Sequence, residues 1–435
     1  MKGYLSPDTY QDACMEKVPW NTFVFLTLVF FIAHHDIFYS LKVSEVSGTA
    51  VFGTTVDNFT TVVEKGNLLR QVVFLTLGLV ATVSLLKNRL WRVKANGLLG
   101  WLLLFFLSWA FISFTWADNP QLTIKRLVLL ATMVLGAFTI SQRFSLRQAV
   151  LWVFFSTILY LHLGIAAEIL LGTFYPFSWG YRFAGTLHPN NQSINCVLLL
   201  YASLFLTKDD RRWHRILAVV AFESLIFLFL TKCRASLLFA GLALFLYWML
   251  STSLLRKFFV VLCLLWVSCL VALFSDLIIP IINHAIKLGR GDVDTLTLTG
   301  RIPLWSQLLS YIANRPIQGY GYDGFWGPQH INEIAKVQEW AVTHAHSAYL
   351  DLTLGLGLVG GISYFFIVIL GIGKAIAANR YSGDKYFGFV VVALIFAGFD
   401  GFLEPIVIMP THTMFVNMVI LSGLGFSIRD PVHGR

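Results

Sequence analysis

Three arginines and two histidines in this chain have the chemistry, and the neighbours, to build a reactive site. Arg301 follows Thr299-Gly300 at a predicted helix start, where backbone N–H groups and the guanidinium together suit an anion. Arg234 closes the turn Leu230-Thr231-Lys232-Cys233-Arg234. Arg182 lies in Tyr181-Arg182-Phe183-Ala184-Gly185-Thr186-Leu187-His188-Pro189-Asn190. A guanidinium is a planar fork that keeps its charge and matches phosphate in two-point contacts. One loop arginine is usually just solvated, and Lys232 with Arg234 could equally snorkel to lipid headgroups. Three on one side of the molecule suggest a polyanionic substrate.

His344 and His346 are two residues apart, so only one need point inward. Ser347 is a candidate N-cap for the helix that follows. The positive end of a helix disfavours imidazolium, which would keep His346 neutral and able to accept a proton. The competing reading is a hydrogen-bonded interfacial histidine. Zinc is not expected, because no third ligand stands near the pair. Asp292 and Asp294 form a D-x-D without the strand–helix context that would make it a nucleotide–metal site.

The elements that must position these groups are set by composition. The 435 residues are 57% hydrophobic and 13% charged, with mean hydropathy +0.71. No soluble fold of this length covers so much apolar surface, so the expected fold class is an all-α polytopic membrane protein. Segments of ~17 to 25 apolar residues fall near 19–35, 68–86, 97–115, 121–141, 148–171 and 190–207. Six more fall near 214–231, 236–251, 257–275, 347–373, 386–402 and 411–427, giving twelve transmembrane helices in a single domain, 1–435.

With the N-terminus cytoplasmic, more than half of the 32 basic residues sit in inside loops and tails, in about half as much sequence as the outside segments hold. That topology explains the +9 net charge without nucleic acid. It puts a large loop, 276–346, outside the membrane between helices 9 and 10. Within it 301–314 has helical spacing and is expected to lie on the membrane surface, apolar face down. The N-terminus is polar before the first span, with no cleavable signal peptide expected. The five cysteines read as small buried hydrophobes. Glu223, Asp400 and Glu404 are expected to pair with Arg or Ser on neighbouring helices. Gly355, Gly357, Gly360 and Gly361 are expected to allow close helix approach.

The chain resembles the O-antigen ligase and Wzy-type polymerase superfamily of bacterial envelope glycan assembly. The residues that carry the likeness are Thr299-Gly300-Arg301 with Trp305, Arg315-Pro316 leading to Gly319-Tyr320-Gly321-Tyr322, and His346 with Tyr349-Leu350. The turn ending at Arg234, and Gly185-Thr186 with His188-Pro189-Asn190, add to it. Gly-Tyr-Gly-Tyr-x-x-Phe-Trp and Tyr-Leu-Asp look most like the exopolysaccharide-production branch. Ser347 and Lys232-Cys233 depart from the family's usual residues.

The resemblance implies a metal-independent, cofactor-free glycosyltransferase of the bacterial inner membrane with its site on the periplasmic side. Such proteins move a glycan from undecaprenyl pyrophosphate to an acceptor hydroxyl. Arg234 and Arg301 would neutralise charge developing on the pyrophosphate. His346 would take the acceptor's proton, and one displacement would invert the anomeric centre. Arg182, His188, Lys232 and His344 are the expected substrate-binding residues, with Tyr320 and Tyr322 (and Phe325 and Trp326) expected to stack on sugars or anchor the belt. The acceptor is expected to be a lipid-linked repeat, making a polymerase, with a lipid A–core sugar, making a ligase, close behind. The rival classes are a twelve-span secondary transporter or flippase, for which the long loop is off-centre and external, and a non-catalytic assembly scaffold.

Overall fold

The computed structural model describes residues 18–35, 66–87, 93–178, 180–207, 213–260, 263, 266, 300–338, 342–405 and 409–428. Thirteen helices carry the argument. They are α1 (Trp20–Phe30, continued by a π-turn to His35), α2 (Leu68–Lys87), α3 (Gly97–Ile112), α4 (Pro120–Arg143), α5 (Leu146–Leu170), α6 (Pro189–Leu206) and α7 (His214–Leu230). The others are α8 (Arg234–Ser251), α9 (Arg301–Asn314), α10 (Pro328–Gln338), α11 (Ala348–Tyr381), α12 (Phe387–Asp400) and α13 (His412–Gly425). Eleven of the predicted spans fall on these helices. The remaining one, 257–275, lies largely outside the described residues, as do Asp292 and Asp294.

Among the described residues six helices are long and apolar enough to cross a membrane: α2, α3, α4, α5, α8 and α11. Their ends are written in local chemistry. Asn119 caps α4 by accepting from Leu122 N, with Pro120 at the first helical position. Ser145 and Gln148 form a reciprocal capping box on α5. Ser347 accepts from Leu350 N at the start of α11, the cap expected from sequence.

The helices sort by what surrounds them. α6 and α12 are buried on nearly every side and form the centre. α7 turns Ile216, Val219, Phe222, Ile226 and Phe229 outward as one exposed apolar stripe, while Leu217, Val220, Ala221, Ser224 and Leu228 pack inward. A helix apolar on both faces with its bulkiest side chains outward is built for lipid.

At one end of the bundle Val93–Ala95 (β1) pairs antiparallel with Phe426–Ile428 (β2), Val93 opposite Ile428. Lys374 Nζ donates to the carbonyls of Asn96 and Leu424 at that same end. The opposite end gathers the segments at 116–119, 171–178, 180–188, 231–233, 300–338, 342–347 and 401–405, and the site described below is there.

Two expectations for the loop change. The apolar face of α9 (Leu304, Leu308, Ile312) is covered by protein: it packs with Tyr320, Phe325, Trp326, Ile331, Ile334 and Leu354 in a second small core. Of the glycines expected to let helices approach, Gly355 and Gly357 of α11 admit the loop instead. Gly357 takes φ 67°, ψ −173°, breaking the helical ladder, and an added Cβ would lie 2.0 Å from Ile317 O. The freed groups find partners in the inserted chain and in α3. Tyr320 N donates to Leu354 O at 2.9 Å, Leu358 N to Pro316 O at 2.7 Å, and Trp109 Nε1 to Leu356 O at 3.0 Å.

Candidate functional site

The site is organised around one buried carboxylate at the end of the two central helices. Glu404, just past α12 and 5% exposed, accepts on a single oxygen, Oε1, from Arg301 Nη2 at 3.0 Å and Asn190 Nδ2 at 2.7 Å. Arg301 also donates Nη1 to Leu403 O. Asn190, in the first turn of α6, accepts from Arg182 Nη2 at 3.1 Å, and Arg182 Nε donates to Thr231 O at 3.1 Å. Glu404 thus pairs with an arginine, as expected for it; Glu223 pairs instead with His162 at 3.3 Å.

Arg234 is the first residue of α8 and half-buried. Burial lowers the Arg182 guanidinium from its ordinary value, Cys233 and Glu404 raise it, and the Arg234 cation lowers it again. Arg301 and Arg182 therefore share the Glu404 carboxylate, and Arg234 stands beside Arg182. Both α8 and α9 begin on an arginine with no side-chain cap on their first N–H groups. Helix starts of this kind add backbone donors and positive potential.

The histidines lie on the strap leading into α11. The rings of His344 and His346 are 4.2 Å apart, and His346 holds a left-handed φ of 52°. Burial holds His346 down at about 4, with Arg301 and His188 adding to the effect. His344 is lowered by burial first, then by His346, Arg301 and His188. Burial acts on His346 in the same direction as the helix terminus expected from sequence. His188 caps α6 with Nδ1, accepting from Asn190 N at 3.3 Å.

The strap is held on both sides. Ala345, between the histidines, donates its N–H to Asp351 Oδ1 at 2.8 Å and receives Trp305 Nε1 on its carbonyl at 2.8 Å. Ala348 N reaches Gly401 O at 2.8 Å. Non-glycine residues in left-handed conformation among the described residues are Lys232, Asp323 and His346, each in a turn singled out by sequence. Such strain persists only where surrounding contacts enforce it.

Of the residues read as a site from sequence, Arg182, His188, Arg234, Arg301, His344 and His346 come together here. Lys232 is half-buried in the turn before Arg234. Tyr320 and Tyr322 do not join them. Each is 4% exposed, Tyr320 stacked edge-on with Tyr311 and Phe325, and Tyr322 in the main core with its N–H on Ser113 Oγ. Phe325 and Trp326 are as buried, at 1% and 3%. In this structure these rings are packing elements with no face open to a sugar.

Sequence reasoning passed over Asn190, Asp351 and Glu168 as working parts. Glu168 is buried at the end of α5 and accepts from Ala184 N at 3.0 Å, Gly185 N at 2.8 Å and the Tyr181 hydroxyl, shaping the Arg182 loop. Its only signal in the sequence was an acid at the end of an apolar run.

The O-antigen ligase family (Wzy_C) matches residues 216–365, which takes in α7, α8, the loop and the start of α11. A ComP-specific O-oligosaccharyltransferase of Acinetobacter baylyi is 29% identical over 103 residues. That match covers 23% of this chain and 19% of the relative, so the chain spans a small part of that protein's length.

Proposed function

We propose, from the match of residues 216–365 to the O-antigen ligase family and from the site geometry, that this protein transfers a glycan from undecaprenyl pyrophosphate to an acceptor hydroxyl. One observation carries the reading. Three guanidinium groups, Arg182, Arg234 and Arg301, and the His344 and His346 imidazoles gather at one end of an apolar bundle, with Glu404 as counter-ion to Arg301 and Arg182. The net positive charge suits a diphosphate, and the apolar flanks suit its polyprenyl tail.

In the mechanism, Arg234 and Arg301 grip the diphosphate and take up the charge that grows on it as the glycosidic C–O bond breaks. His346 accepts the proton of the acceptor hydroxyl as its oxygen attacks the anomeric carbon. One displacement inverts that carbon, without metal or covalent intermediate. Arg182 sets the Arg234 side of the site through Thr231 and Asn190. The chain crosses the bacterial inner membrane twelve times, and the Glu404 end faces the periplasm.

A lipid-linked repeat as acceptor would make the protein a polymerase, the reading supported by the Gly-Tyr-Gly-Tyr-x-x-Phe-Trp likeness. Ligation onto a lipid A–core sugar is the second reading, supported by the family description. The test is transfer by purified protein in proteoliposomes from a defined lipid-linked donor. Arg234→Ala, Arg301→Ala and His346→Ala should each abolish it in protein that still inserts; full activity in all three would refute the mechanism. A gel of envelope glycans from a deletion strain separates the acceptors: single repeats on the core mean polymerase, long unattached chains mean ligase. Substrate-dependent flux without transfer would revive a transporter.

A further inference from the structure

We propose that Asp351 and Trp305 are positioning residues that clamp the Ala345 peptide from opposite sides and so hold His346 in the site. The inference deepens the reading of His346 as the base and rests on it.

Asp351 is 2% exposed, one turn into α11, and its Oδ1 accepts both from Ala345 N at 2.8 Å and from Trp326 Nε1 at 2.7 Å. Its other oxygen, Oδ2, is buried with no hydrogen-bond partner. A buried carboxyl that leaves one oxygen unsatisfied is costly, typically about 1–3 kcal/mol, so the two bonds it does make must matter to the fold or to function. Asp351 acts on the chain beside the imidazole and not on the ring.

Trp305 works from the other side. It lies four residues after Arg301, so the two side chains project from neighbouring positions on α9. Its indole N–H donates to Ala345 O at 2.8 Å. The peptides on both sides of Ala345 are thereby fixed by side chains from two different helices. The next residue, His346, is in a left-handed conformation that non-glycine residues adopt uncommonly. Because Arg301 and Trp305 ride on one helix, the clamp also sets the base in register with the diphosphate grip. Trp326 orients the carboxyl; its burial in the loop core explains why the Phe-Trp pair stands there without touching substrate.

The test is steady-state transfer by Asp351→Asn, Asp351→Leu and Trp305→Phe, with His346→Ala alongside and thermal unfolding of each in detergent. A base misplaced by about 1 Å costs on the order of 10²-fold in rate. Asp351→Leu and Trp305→Phe should lower kcat by that order with KM for the donor within about twofold. Asp351→Asn, whose amide oxygen accepts the same two bonds, should recover most of the rate. Trp305→Phe keeps an aromatic ring while removing the N–H donor, so it reports on the clamp even where Asp351→Leu does not fold. Native rates in folded Asp351→Leu and Trp305→Phe with His346→Ala inactive would overturn the clamp and leave the base standing. Asp351→Asn as damaged as Asp351→Leu would overturn it too, because charge would then be what matters. A native rate in His346→Ala would instead remove the base itself, and the clamp with it.

Discussion

Arg301 and Trp305 stand four residues apart on α9 and bind two different walls of the same site. Arg301 reaches Leu403 and Glu404 beyond α12, and Trp305 reaches Ala345 before α11. One short helix outside the bundle thus ties the anion grip to the histidine strap. The spacing Arg-x-x-x-Trp follows from the 3.6-residue turn.

Glu404 holds Arg301 in place, so its removal should be felt twice. Glu404→Ala leaves a guanidinium only 17% exposed without its counter-ion, and breaking such a pair costs about 3–5 kcal/mol. The unfolding midpoint in detergent should fall sharply and the transfer rate with it. Glu404→Gln keeps an oxygen for Arg301 and Asn190 and should fall between Ala and native in both measurements.

The pH dependence follows from His346. Burial holds its protonated form off until about pH 4, far below the ordinary histidine value. A base must be neutral to work, so the kcat/KM attributable to His346 should stay level from pH 8 to about pH 5 and fall through pH 4. Linkage has the same direction for stability. Between the unfolded and folded values the unfolded chain binds more protons, so stability declines as pH falls from 6.5 toward 4. A kcat/KM profile with its midpoint near 6.5 would show that His346 is solvated in the free enzyme.

Gly357 is the hinge on which the loop docks. Any side chain there meets Ile317 O at 2.0 Å and must also adopt a backbone conformation almost reserved for glycine. Gly357→Ala should destabilise the protein by about 3 kcal/mol or more and expose 316–322 to limited proteolysis. A native melting curve would mean that α11 can straighten.

Tyr320 should matter to stability before it matters to sugar. Its hydroxyl donates to Tyr311 O at 3.0 Å, and the Arg315 guanidinium sits 4.7 Å over its ring. Tyr320→Phe should cost about 1 kcal/mol and Tyr320→Ala about 3–5 kcal/mol in melting experiments, with the donor KM of folded Tyr320→Phe unchanged. A selective rise in KM would return the ring to the binding site.

Much of the fold was legible because lipid imposes a one-dimensional rule: an apolar run long enough to span must satisfy its backbone internally, and so becomes a helix. The segments near 68–86, 97–115 and 148–171 sit within a few residues of α2, α3 and α5 for that reason. The helical spacing of 301–314 and the cap at Ser347 are likewise local. The motif residues Arg301, Arg234 and His346 stood out because charge and imidazole beside apolar runs need a cause.

What covers a face, and which side chains meet, only the tertiary structure decided. The same amphipathic pattern in α9 fits a membrane surface or a protein core, and the aromatic loop of Tyr320 to Trp326 settled it by packing there. Tyr320 and Tyr322 read equally as sugar platforms or core until their burial was known. Glu404 carries no spacing that marks it, since its partners lie far off in the chain: it is 103 positions from Arg301 and 214 from Asn190. Local sequence specifies helices and caps through neighbours a few residues away; a site built from five distant turns exists only once the bundle has closed.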